Sequence, residues 1–141
     1  MAMGLRTAYW TMHRQTDACL AKYGVTANQF VLLYLLAEED GVTQQQLVRR
    51  ASSDPNTIRA MLVLLENRGL VARKRDPNDG RARNVVLTSR GRRIYNKLLE
   101  QSEPLRKQLM RIFQPEQADT MVKFLKQISK TMGQPLKGET K

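Results

Sequence analysis

The sequence predicts a mainly α-helical chain with one small β-hairpin, and three observations carry that prediction. Helix start signals of the Thr-x-x-Gln and Asp-Pro kind stand ahead of apolar residues at helical spacing. Only one stretch, residues 70 to 87, has short β-prone runs flanking a turn-rich centre. Hydrophobic residues make up 41% of the 141 residues, enough for a packed core and too many for a disordered polycation.

Leu5 to Ala21 reads as the first helix, with Leu5, Ala8, Tyr9, Met12, Cys19 and Leu20 roughly on one stripe; Gly24 ends it. Thr26-Ala27-Asn28-Gln29 has the form of a capping box and opens a second helix through about Glu38. That helix is apolar nearly all round from Phe30 to Leu36, so it is expected to lie buried between other elements. Thr43-Gln44-Gln45-Gln46 repeats the form ahead of a short helix to about Arg50. Ser52-Ser53-Asp54-Pro55 then offers caps and a proline at the first helical position, where its missing N–H costs nothing. The helix that follows runs to Arg68, with Ile58, Met61, Leu62 and Leu65 at helical spacing and Gly69 as its stop. Two capped helices joined by a tight connection make a helix-turn-helix.

Leu70 to Arg75 and Arg83 to Leu87 are the arms of the hairpin, around Asp76-Pro77-Asn78-Asp79-Gly80. Thr88-Ser89 caps a long helix, about Arg90 to Phe113, in which Pro104 is expected to cause a kink or break. Gln114-Pro115 restarts a last helix carrying Met121, Val122, Phe124, Leu125, Ile128 and Met132. Residues 133–141 form a polar tail with Gly and Pro that is expected to be disordered.

Charge gives the first indication of a partner. The formal net charge is +11, from 24 Lys and Arg against 13 Asp and Glu. Between Arg49 and Arg93 lie twelve basic residues, eleven of them Arg, against four acidic ones, so +8 of the +11 falls in about a third of the chain. Arginine carries a planar fork that pairs bidentately with phosphate or guanine, where lysine is a point charge. The expected partner is therefore a polyanion, although a solvated face is the plainer reading of any charge run.

Several classes fall away. The longest apolar run, Phe30 to Ala37, is eight residues, against about 20 for a membrane span. Met1 to Arg6 lack the features of a secretory leader, so a cytoplasmic location is expected. A single Cys19 and a single His13 cannot build an internal disulfide or a Cys/His zinc site, and neither metal nor cofactor is expected. The chain shows no convergent nucleophile or acid/base set and no Gly-rich phosphate loop, so an enzyme is not expected.

Three segments, read together, point to a family. They are Leu64-Leu65-Glu66-Asn67-Arg68-Gly69-Leu70-Val71, Arg73-Lys74-Arg75-Asp76-Pro77-Asn78-Asp79-Gly80-Arg81, and Val86-Leu87-Thr88-Ser89-Arg90-Gly91. In this order and spacing they resemble the multiple-antibiotic-resistance regulator (MarR) family. The resemblance implies one winged helix-turn-helix domain over residues 1–141, with the lobe at 26–89 and dimerisation helices at 5–25 and 90–132. It also implies a homodimeric transcriptional regulator, in particular a repressor. Such a protein binds a near-palindromic operator in double-stranded DNA and is released by a small phenolic or other anionic ligand.

Specific residues follow. Helix Pro55–Arg68 is expected to offer Asn56, Thr57 and Arg59 to base edges in the major groove, although Asn56 and Thr57 are also good first-turn residues. The family often has a basic residue where this chain has Ala60. On the wing, Arg81 and Arg83 are expected at the minor groove and Lys74 and Arg75 at phosphates, with Asp76 and Asp79 orienting the tip arginine. Trp10, His13 and Arg14 are candidates for a ligand pocket; alternatively, Trp10 belongs to a dimer core and His13 and Arg14 to the surface. Cys19 lies outside the position of the family's reactive thiol and reads better as inert. The competing reading is a basic RNA-binding or ribosome-associated protein, but aromatics are only 6% and none interleaves with the arginine cluster.

Overall fold

The fold is taken from a computed structural model that describes residues 1–75, 78, 80 and 83–135, with Arg83 described in its backbone alone. Helices α1 (Ala2–Leu20), α2 (Ala27–Glu38), α3 (Gln44–Arg50) and α4 (Pro55–Asn67) precede the hairpin, and α5 (Ser89–Met110) and α6 (Pro115–Met132) follow it. Strand β1 (Val42–Thr43) lies between α2 and α3, and β2 (Val71–Arg75) and β3 (Arg83–Leu87) form the hairpin. The chain divides into two compact units, Met1–Glu103 and Pro104–Lys141.

Local chemistry accounts for most boundaries. α1 ends in a 3-10 turn, Ala21–Tyr23, stopped by Gly24 at φ 66°, a left-handed conformation that glycine adopts without steric cost. α2 begins with a reciprocal capping box: Thr26 Oγ1 accepts from the Gln29 amide at 3.1 Å, and Gln29 Oε1 accepts from the Thr26 amide at 3.1 Å. Thr43 and Gln46 repeat it at α3 with distances of 2.9 and 3.2 Å. At α4 the cap is Asp54, which accepts from the Thr57 amide at 2.9 Å, with Pro55 in the first turn. The α3–α4 turn passes through Ser52 at φ 50°, a left-handed position held by a residue other than glycine.

The core belongs to the first unit. Leu20, Leu32, Leu33, Leu36, Leu47, Ile58, Leu62, Leu65 and Leu98 are fully buried, joined by Val25, Val42, Val85 and Tyr95. α2 supplies three of these leucines, but Val31 and Tyr34 on it are exposed, so the helix is buried on one side and not all round as its composition suggests. The sheet, with strand order β1-β3-β2, closes one side. Thr88 locks its end to α5: Oγ1 donates to the Gly69 carbonyl at 2.6 Å and accepts from the Gly91 amide at 3.0 Å.

Two features depart from the sequence expectation. The sheet has a third strand, because Val42 and Thr43 pair with Val85 and Asn84 of β3. Two residues show no alternation to read, and only a partner some forty positions away makes them a strand. α5 carries Pro104 inside one continuous helix, so the break, one of the two expected outcomes, does not occur. The helix stops at Met110, short of Phe113. The flanking turns of a 22-residue helix carry the one backbone bond that proline removes.

Candidate nucleic-acid interface

The site begins with α4. Its buried stripe is Ile58, Leu62 and Leu65, with Met61 partly buried, while Asn56, Thr57, Arg59 and Ala60 are exposed. The structure therefore brings the three base-reading candidates together on one solvent-facing helix start. Thr57 has a second task, because its hydroxyl donates to Asp54 Oδ2 at 2.7 Å. Its proton is committed to the cap, leaving acceptor capacity and a methyl group for a partner. That bond and the Thr57 amide hold the Asp54 carboxyl below the usual aspartate value.

The hairpin register places Lys74 opposite Asn84 and Arg75 opposite Arg83. Lys74 and Arg75 are both exposed. Asp76, Asp79 and Arg81, the orienting pair and the tip arginine of the sequence reading, lie outside the described residues, as does the Arg83 side chain.

Not every cation of the cluster faces outward for a partner. The Arg68 fork donates to the Gly24 carbonyl at 2.8 Å and the Tyr23 carbonyl at 2.9 Å, tying the end of α4 to the turn between α1 and α2. Arg73 Nε lies 3.2 Å from Glu66 Oε2, and Nη1 lies 3.3 Å from Gln44 Oε1, so β2 is tied to both α4 and α3. This pair also offsets the one acid on α4. Arg50 pairs with Glu39 at 2.7 Å. Arg49, Arg59, Lys74, Arg75, Arg90, Arg92 and Arg93 are exposed and have no such structural assignment among the described residues.

A groove beside the α3–α4 turn was not singled out from the sequence. It is lined by Gln44, Gln45, Val48, Arg49 and Pro55. Gln45 and Arg49 are exposed and four residues apart, hence on one face of α3. Their spacing was the available signal, hidden because Gln44–Gln46 read first as capping chemistry.

The ligand candidates separate. Trp10 and His13 meet edge to face at 5.4 Å, and Tyr9 joins both at 5.2 and 5.6 Å. His13 Nε2 lies 3.5 Å from Asp17 Oδ2, and Asp17 Oδ1 accepts from the Ala27 amide at 2.6 Å, linking α1 to the start of α2. Arg14 is exposed on α1. The Cys19 thiol is half-buried and donates to the Gln101 carbonyl at 2.9 Å. Among the described residues no group of three or more His, Cys, Asp or Glu is placed to hold a metal.

Residues 25–82, the segment holding α2 to the hairpin, match the sequence model of the MarR family. This segment of the chain is similar to the MarR family. The transcriptional regulator HosA of Escherichia coli is 40% identical over 70 residues, 50% of this chain and 52% of HosA. The chain thus spans about half the length of the curated relatives it matches. MarR-like folds match over more of it: the repressor CouR bound to a 23-mer DNA duplex gives a TM-score of 0.82 at 25% identity, covering 92% of each chain. Bordetella bronchiseptica BpsR, whose DNA binding is regulated by 6-hydroxynicotinic acid, gives 0.81 at 26% identity, again over 92% of each chain. The fold is a winged helix-turn-helix, with α3 and α4 as the helix pair and β2–β3 as the wing.

Proposed function

We propose that this protein is a sequence-specific double-stranded DNA-binding transcriptional regulator. It acts in the cytoplasm as a repressor, binds a near-palindromic operator as a homodimer, and is released by a small anionic ligand. The observation that carries this reading is α4. A firmly capped helix that buries Ile58, Leu62 and Leu65 leaves Asn56, Thr57 and Arg59 outward, in the same lobe as a hairpin strand with Lys74 and Arg75 exposed. In the reading, α4 lies in the major groove, Asn56 suits adenine and Arg59 suits guanine. Lys74, Arg75, Arg81 and Arg83 of the wing take phosphates and the minor groove, with Asp76 and Asp79 orienting the tip. Arg49 and Gln45 extend the phosphate contacts along α3.

The dimer is supported by the terminal helices. α6 buries none of its residues, and Met121, Val122, Phe124 and Leu125 are all exposed along it. α1 likewise exposes Tyr9, Trp10 and Met12. Apolar faces of this size mark protein–protein contacts. A second copy of the chain would cover them and set two α4 helices about one helical turn of DNA apart. For the ligand, the regulation of BpsR by an aromatic acid supports an anionic aromatic compound, with Trp10, His13 and Arg14 as its contacts.

The decisive experiment is selection of bound duplexes from a random pool in competition with folded RNA and anionic vesicles. Duplexes with two inverted half-sites are expected. Their affinity should fall by roughly a thousandfold or more between about 50 and 200 mM salt, as six to ten neutralised phosphates require. A flat salt dependence, or preferential retention of RNA or vesicles, refutes the reading.

A further inference from the structure

The outermost face of α4 has an unusual composition. At about 100° per residue, the positions directly opposite the core stripe Ile58, Met61, Leu62 and Leu65 are Asn56, Ala60, Val63 and, in the last turn, Asn67. Arg59 flanks this line on one side and Thr57 on the other. Ala60 is exposed and Val63 is 47% exposed. A surface helix normally carries polar groups there, and the chain as a whole has a net charge of +11. Two methyl-bearing side chains therefore stand where a solvated helix would place charge.

We propose that Ala60 and Val63 are specificity-determining residues that read the 5-methyl groups of thymine, with Asn56 reading an adenine, so that the half-site is built on A·T pairs. This inference rests on the DNA-binding reading above. The thymine methyl is the one apolar feature in the major groove, and Asn pairs bidentately with adenine N6 and N7. The stripe is continuous with Asn56 and Arg59, so no separate surface is invoked. Its dimensions fit: a rise of about 1.5 Å per residue sets Val63 about 10.5 Å along the helix from Asn56, close to three base-pair steps of about 3.4 Å. Neighbouring chemistry does not compete for it, because Glu66 is held by Arg73 at 3.2 Å.

The test uses duplexes recovered from the random pool, remade with deoxyuridine in place of one thymidine at a time. This change deletes a single methyl group and nothing else. Affinity is expected to fall about fourfold at one or two positions in each half-site, the factor that burial of one such group carries. Val63→Ser and Ala60→Gly, which remove the methyl groups, should each abolish that discrimination at one position. The readout is a ratio between two duplexes bound by the same variant, so any change in helix stability cancels. Equal affinity for thymidine and deoxyuridine everywhere overturns the inference while leaving DNA binding intact, as does discrimination that survives both variants. Failure to recover any duplex overturns the DNA-binding reading itself.

Discussion

The lobe from Val25 to Tyr95 and the terminal helices α1 and α6 use their apolar residues in opposite ways. In the lobe, Leu32, Leu36, Leu47, Ile58 and Leu62 are fully buried, and α2, α3 and α4 each start at a side-chain cap. In α1 only Leu20 is buried, α6 has no buried residue, and Met1 gives α1 no side-chain cap. Each leucine taken wholly out of water contributes about 1.5–3 kcal/mol, so the lobe holds within one chain what specifies it. The terminal helices leave that contribution unrealised unless another surface covers them. A single chain thus contains a lobe with its core complete and two helices whose apolar faces stay exposed.

The comparison breaks most visibly at α6. Leu125→Lys puts a charge into its apolar stripe, beside Met121 and Ile128. Sedimentation at micromolar concentration should change from dimer to monomer while the lobe stays folded by circular dichroism. Operator affinity should fall by about a hundredfold or more, since two linked half-site contacts become one. A variant that stays dimeric with unchanged affinity removes α6 from the contact.

Two glycines sharpen the same contrast. A Cβ at Gly91 would overlap the Leu70 carbonyl oxygen, a backbone atom that cannot swing aside, whereas a Cβ at Gly4 in α1 meets nothing within 4 Å. Gly91→Ala should therefore destabilise the lobe by about 1–3 kcal/mol, the usual cost of overpacking. Gly4→Ala should stabilise by about 0.5–1 kcal/mol through helix propensity. Thermal melts of both variants decide this; equal and opposite small shifts are the expected failure mode if the lobe has slack at Gly91.

Those positions also show what the sequence makes legible. Three helix starts, the α4 stripe and the hairpin arms are local patterns, and each lies where capping chemistry and periodicity place it. Ala2 extends α1 three residues beyond its expected start, and nothing local marks that end. β1 was hidden because a two-residue strand exists only through its partner. The charge cluster was legible as a total, but the division of labour within it was not. Arg50 pairs with Glu39 at the surface, while Arg68 and Arg73 are tied to the carbonyls of Tyr23 and Gly24 and to Glu66 and Gln44. Those partners lie 7 to 45 positions away, beyond any periodicity.

The smallest expected effect tests whether the start of α4 is specified locally. Asp54 caps α4 through the Thr57 hydroxyl and amide, and these bonds lower its pKa. A group with a depressed folded-state pKa stabilises fully above its unfolded value and loses that contribution as pH falls through the folded one. Asp54→Ala should thus lower the thermal midpoint at pH 7, and the gap to wild type should close under acid conditions, below the ordinary aspartate range. Asp54→Asn keeps an acceptor at the cap but cannot titrate, so its midpoint should lie between the two and lack this pH dependence. Because Asp54 caps the helix start that presents Asn56 and Arg59, Asp54→Ala should also weaken specific duplexes more than non-specific ones. Equal weakening of both would place the cap's role in folding alone.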